Sequence, residues 1–194
     1  METIPTSTDD HPTDVATDYR IADADLTAVL DAVGPDGWAA PSPCEGWTAA
    51  DVVDHLIDAQ RQFLAAHDLD AGPAPDVAAD PVAAWRSHAG TVASLLDDPA
   101  VAAQPFDGHF GPTTVGETLS RFYVFDMIAH RWDVATATGQ PATFTEAEMD
   151  RLETGMDGFG PALYGDGVCK GGVEAPAGAD RQTAVLARLG RRAP

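Results

Sequence analysis

FDMIAHRWDVATATGQ, residues 125–140, carries polar side chains where a core-facing helix should be apolar. With the residues just before it, Leu119, Phe122, Asp126, His130 and Asp133 recur at three- and four-residue spacing. That spacing stacks them on one helical face. Asp126 and His130 therefore lie on a stripe next to Tyr123, Met127 and Ile128. A charge on such a stripe costs several kcal/mol unless it is paired or bound to a metal. Thr114 with Glu117 makes an N-terminal capping box and Gly139 a stop, so the spacing predicts one continuous long helix over about 114–138.

Working outward, the other periodic segments are also helical. A first helix is expected over about 18–33, stopping at Gly34-Pro35. The loop PDGWAAPSPCEGW follows, punctuated by proline and glycine. Thr48 with Asp51 caps a second helix that ends near His67 and carries Val52, His55, Leu56, Ala59 and Phe63 at helical spacing. Asp80 and Pro81 open a third, to about Leu96. PFDGHFGP is expected to be irregular, with a short strand or turn, and Thr145 with Glu148 opens a fifth helix to about Gly158. A Gly- and Pro-rich segment then leads to a short terminal helix in DRQTAVLARLG. Four long apolar stripes joined by loops predict an all-α fold, an antiparallel four-helix bundle with a short extra helix and an irregular C-terminal segment.

The 194 residues suit one domain with a sizeable core. Residues 1–18 are acidic and aperiodic and are expected to be a disordered tail, leaving 19–194 as the helical domain. That N-terminus lacks the basic and apolar regions of a secretion signal, and no apolar run approaches the ~20 residues of a membrane helix. A cytoplasmic location is expected. Eleven Lys+Arg against 31 Asp+Glu give a formal charge of −20, which repels phosphate backbones and argues against nucleic-acid or anionic-membrane partners. High-salt adaptation or a GC-rich genome would each produce the aspartate bias and the single lysine, Lys170. Cys44 and Cys169 form no CxxC and read as reduced thiols. Phosphate-binding glycine loops and G-x-S-x-G are absent, so nucleotide binding and serine hydrolysis have no support.

If the second and fourth helices are neighbours, His55, Asp126 and His130 converge. Two imidazoles and a carboxylate match the ligand set of catalytic zinc and of non-haem iron. An ion pair between Asp126 and His130, with His55 as a hydrogen-bonded core residue, is the plainer reading of the same spacing.

PSPCEGWTAADVVDHL (41–56) and FDMIAHRWDVATATGQ together resemble the two signature segments of the DinB-like superfamily. They are most similar to its mycothiol-dependent maleylpyruvate isomerase branch, found mainly in actinobacteria. The closing GADRQTAVLARLGRRAP resembles the end of a short, single-domain metal-binding subfamily. The resemblance implies a four-helix bundle with a divalent metal at one end, held by His55, Asp126 and His130. Zinc is favoured, with nickel or iron as alternatives, and mycothiol is the implied cosubstrate. The characterised isomerases place glutamate where Asp126 stands, and they carry a second, C-terminal domain for which this chain has no room. Maleylpyruvate isomerase activity itself is therefore not expected.

Other residues carry lesser expectations. Trp47 and Trp132 pack beside the site or touch substrate. Asp133 supports the metal ligands or faces solvent. Cys44 packs, or approaches the metal; His109 contacts substrate or serves as an extra ligand. Arg131 is a solvated charge or an anion contact, and His11, His67 and His88 are expected at the surface. The expected function is metal-dependent S-transfer to, or isomerisation of, an electrophilic small molecule. The alternatives are a non-catalytic metal-binding or stress-response module and a metal-dependent hydrolase. The expected partners are a small-molecule substrate and a thiol, with a homodimer as an option.

Overall fold

Side-chain caps set where the helices begin. The computed structural model describes residues 14–165 and 171–192. Helix α1 spans Val15–Asp31, and the Asp14 carboxylate accepts from the Ala16 N–H. The helix thus starts ahead of the expected tail boundary at residue 18, because Asp14 caps it and Ala16 and Tyr19 are buried. Residues 1–13, His11 among them, lie outside the described residues, as do Cys169 and Lys170.

Helix α2 spans Ala49–Ala66, and α3 spans Pro81–Leu96. Thr48 and Asp51 form the reciprocal box that starts α2. A four-residue helix α4, Pro99–Ala102, leads into a hairpin of β1 (Pro105–Gly108) and β2 (Gly111–Thr114). The strands pair antiparallel, Phe106 opposite Thr113. Gly111, at φ 109°, takes a backbone conformation that a side chain would strain.

The expected fourth helix is not continuous. It runs as α5 (Val115–Thr118), a π turn (Leu119–Tyr123) and α6 (Val124–Ala137). In the π turn the Val124 N–H reaches back five residues to the Leu119 carbonyl. The extra residue re-aims Arg121, Phe122 and Tyr123 relative to α6, and such bulges are frequent at functional sites. Helix α7 spans Glu146–Phe159 and α8 spans Arg181–Arg188.

The bundle is made by α1, α2, α3 and α6. Helix α1 packs on α3 and α6, and α2 packs on the same two. Tyr19, Leu26 and Leu30 of α1, Val52, Val53 and Leu56 of α2, Trp85, Ala89 and Val92 of α3, and Met127, Ala129 and Trp132 of α6 fill the centre. Helix α7 covers α6, and α8 covers α7. The protein is an all-α helical bundle with one small hairpin, and no described helix is long and apolar enough to cross a membrane.

One polar cluster sits inside this core. His88 was expected at the surface but is only 2% exposed. Gln60 Oε1 accepts from Tyr19 Oη at 2.8 Å and lies 3.1 Å from His88 Nε2. The imidazole is buried with Gln60 of α2 as its one side-chain partner among the described residues, and its Nδ1 has none. Burial, aided by the nearby Arg61 charge, lowers the His88 pKa to about 4. His67 is also not a plain surface residue: it is half-buried, its ring 4.1 Å from that of Phe106 and 4.6 Å from that of Phe63.

Candidate metal centre

The loop before α2 is closed by its own backbone. Ser42 N–H donates to the Trp47 carbonyl at 2.8 Å, and Trp47 N–H donates to the Cys44 carbonyl at 3.0 Å. Gly46, at φ 83°, makes the turn possible. The loop thereby presents Cys44 and Trp47 to the face of α6 that carries His130. Trp47 lies over both imidazoles, 4.7 Å from the His55 ring and 6.0 Å from the His130 ring.

Helices α2 and α6 bring His55, Asp126 and His130 together. Asp126 bridges the two imidazoles: Oδ2 is 3.3 Å from His55 Nε2, and Oδ1 is 3.3 Å from His130 Nε2. The side chain of His130 is only 6% exposed, whereas His55 and Asp126 remain 31% and 29% exposed. Solvent therefore reaches the cluster from the His55 side. There a hollow of about 550 Å³ opens, walled by Asp51, Asp54 and Asp58.

The far nitrogen of His130 is also engaged. Its Nδ1 lies 2.8 Å from Asp133 Oδ2. Asp133 is fully buried, so it does not face solvent. Arg191 clamps that carboxylate, with Nη2 at 2.6 Å from Oδ2 and Nε at 3.0 Å from Oδ1. The Cys44 thiol donates to the same Oδ2 at 3.3 Å.

The charges follow from this geometry. Burial pushes the Asp126 carboxyl upward, but the His130 charge and the hydrogen bonds from His130 and His55 outweigh it and hold Asp126 well below the usual range. Burial likewise pushes His130 down, yet the Asp126 charge and the bonds to Asp126 and Asp133 raise it well above an ordinary imidazole. Asp133 lies at about 2, since the bonds from His130 and Arg191 overcome its burial.

The donors fit a divalent cation. One ligand atom from each of His55, Asp126 and His130 lies within 4.8 Å of the others. Two nitrogens and one oxygen are a donor set for zinc or for first-row metals of similar hardness. Asp133 accepting from Nδ1–H leaves Nε2 as the ligating nitrogen, the usual carboxylate–histidine support of a metal ligand. A cation at this point would take the place of the Nε2 proton. Cys44, His130 and Asp133 make a second compact group. The Arg191 guanidinium already occupies the neighbourhood of that group, 3.6 Å from Cys44 Sγ.

A family model for the mycothiol maleylpyruvate isomerase N-terminal domain matches residues 19–135. The chain belongs to this family. The matched span holds His55, Asp126, His130 and Asp133, but not Arg191. An uncharacterized protein of Mycobacterium tuberculosis is 28% identical over 151 residues, covering 76% of this chain and 80% of its own. A second from the same species is 34% identical over 149 residues, covering 65% of this chain and 58% of its own. No solved structure matches the chain.

The remaining expectations divide. Trp132 is buried in the core at 2% exposure. Arg131 is neither solvated nor a free anion contact: it is turned to α7, pairing with Glu148 at 2.9 Å and donating to the Thr143 carbonyl. His109 is exposed on the hairpin tip and does not join the three-ligand group. Arg191 was missed altogether, because an arginine after an amphipathic helix has no local signal of the buried carboxylate it meets.

Proposed function

We propose that the chain binds one divalent metal ion through His55, Asp126 and His130, zinc favoured over nickel or iron. Mycothiol is the proposed cosubstrate, for S-transfer to, or isomerisation of, an electrophilic small molecule. The observation that carries this reading is the Asp126 carboxylate set between imidazoles of two helices, with a second carboxylate on the far nitrogen of one of them. When bound, such a cation supplies the positive charge that stabilises a thiolate near neutral pH.

The chain's own residues contribute orientation and shielding. Asp133 holds the Nδ1 proton of His130, and Arg191 holds Asp133. Trp47 covers one face of both imidazoles. Cys44 is engaged with Asp133 and is not required as a nucleophile. A closed structural site would call for a fourth protein ligand. Among the described residues neither Cys44 nor His109 joins His55, Asp126 and His130, which supports an open, reactive site over a sequestering one.

Elemental analysis and thiol titration test the proposal. One metal per chain is expected, lost in His55→Ala and His130→Ala while the helical signal persists. Cobalt-substituted protein should gain a thiolate charge-transfer band on adding mycothiol or a mimic. Full occupancy in both variants refutes the ligand set; no band at millimolar thiol refutes the thiol role.

A further inference from the structure

A cavity of about 950 Å³ lies between the hairpin, the π turn and the end of α7. That is the size of a small-molecule site. Its walls are aromatic: Phe63, Phe106, Phe110, Phe122, Tyr123 and Phe159 all line it. The rings brace one another, with Phe63 5.1 Å from Tyr123, Phe122 5.0 Å from Phe159, and Phe110 5.8 Å from Phe122.

Among the described lining residues Arg121 is the one arginine or lysine, and it is held unlike the other helix-borne arginines. Arg86 holds Asp31, Arg151 holds Asp18, Arg188 holds Asp157, and Arg61 holds the carbonyls of Ala71 and Gly72. The Arg121 guanidinium instead lies 5.5 Å from the Phe110 centroid and 5.0 Å from the Phe122 centroid. Among the described residues no carboxylate pairs with it, although acids outnumber bases 31 to 11 in the chain. Glu117, one turn away, is committed to the Thr114 cap. A second observation points to a ligand: Thr118, 7% exposed and lining the same cavity, has a buried Oγ1 with no hydrogen-bond partner among the described residues. Buried hydroxyls are normally satisfied by protein, water or ligand.

The cavity shares helices with the metal-ligand cluster, although none of His55, Asp126 and His130 lines it. Tyr123 lines it and lies one helical turn before Asp126; Arg121 precedes Asp126 by about 7 Å along the axis. Phe63 lines it from α2, two turns beyond His55, with its ring against that of Tyr123.

We propose that this cavity binds a small aromatic carboxylate: Arg121 pairs with its carboxylate, the phenylalanines hold its ring, and Thr118 bonds a further polar group. That the ligand is the electrophile acted on at His55, Asp126 and His130 rests on the function proposed above; the binding itself does not. Arg121 is the one arginine or lysine among the described lining residues, and the carboxylate of Glu117, which also lines the cavity, is engaged by the Thr114 cap. This favours an anion here, while the −20 charge of the chain disfavours anions elsewhere on the surface.

The probe is 2-naphthoate, titrated calorimetrically into full-length protein, both zinc-loaded and EDTA-treated. Sub-millimolar binding is expected in both forms, and in His130→Ala. Arg121→Gln should weaken it about 10- to 100-fold, as loss of a charge-assisted pair implies. The neutral 2-naphthamide should lose a similar factor on the unaltered protein. Arg86→Gln, which removes an equal charge elsewhere, should bind as the unaltered protein does. No binding overturns the proposal, as it would if a second copy of the chain covered the cavity. Equal binding of the amide, as for a neutral lipid chain, overturns it too. So does an Arg121→Gln variant that binds normally, or an Arg86→Gln variant that weakens as much. Loss of binding in metal-free His130→Ala would move the ligand to the metal centre and sink the cavity site. Persistence there, with no metal bound, leaves the cavity standing even if the metal reading fails.

Discussion

Arg191→Met would strand a buried charge. Asp133 is fully buried, and in the folded chain it receives Arg191 Nη2 at 2.6 Å and Nε at 3.0 and 3.2 Å. After the substitution only His130 Nδ1 at 2.8 Å and Cys44 Sγ at 3.3 Å remain of its described side-chain partners. Removing one member of a buried ion pair costs about 3–5 kcal/mol, because the other stays desolvated. His130 retains part of the compensation, so the lower end applies, about 3 kcal/mol. In a domain of this size that lowers Tm by about 6–12 °C. The assay is thermal unfolding followed by circular dichroism on EDTA-treated protein at neutral pH. Combining Arg191→Met with Asp133→Asn should recover much of the loss, since the stranded charge is then gone. A Tm drop under about 2 °C, or a double variant no more stable than the single one, would refute the reasoning. The same pair has a pH signature. The Asp133 pKa is depressed from 3.8 to about 2, so its stabilisation is full above 3.8 and is lost as pH falls toward about 2. The amount is about 2 kcal/mol. Asp133→Asn alone, with Arg191 kept, should weaken metal binding about 10- to 100-fold by freeing the His130 ring.

His88 produces a separate loss at higher pH. Its pKa falls from 6.5 to about 4 on folding, so both states are neutral above 6.5 and the unfolded chain takes the proton first as pH drops. Stability should fall by about 3 kcal/mol over that interval and then level off, read as urea midpoints against pH; a His88→Gln variant that keeps the slope would contradict this. Gly116→Ala should destabilise by about 1–3 kcal/mol despite the better helix propensity of alanine. Its Cβ would sit 2.9 Å from the Ala102 carbonyl oxygen, and a melt at or above that of the unaltered protein would show that the segment gives way.

Much of the helical order was legible because its determinants are local. The Thr48–Asp51, Thr114–Glu117 and Thr145–Glu148 boxes each close within three residues, and each marks an observed helix start. The proline and aspartate that open α3 act over a similar range. Four-residue spacing puts Asp126 within reach of His130, and three-residue spacing puts Asp133 within reach without fixing which way it turns. Local spacing could not reveal the π turn, since the apolar stripe through Leu119 and Phe122 reads the same with or without one extra residue.

What lay beyond local range needed the tertiary structure. His55 meets Asp126 only because α2 and α6 are neighbours; helical spacing offered this meeting only conditionally, and motif resemblance strengthened it. Whether Asp133 faced solvent or the site was decided by Arg191, 58 residues away. His88 was read as a surface residue because its partner Gln60 lies 28 residues distant, with Tyr19 another 41 from that. The aromatic cavity gathers side chains from α2, the hairpin, the π turn and α7, none of which signals the others in sequence. Periodicity and caps are properties of a few consecutive residues and survive in the chain alone. The partner of a buried charge, and the space between helices, exist only once the chain has packed.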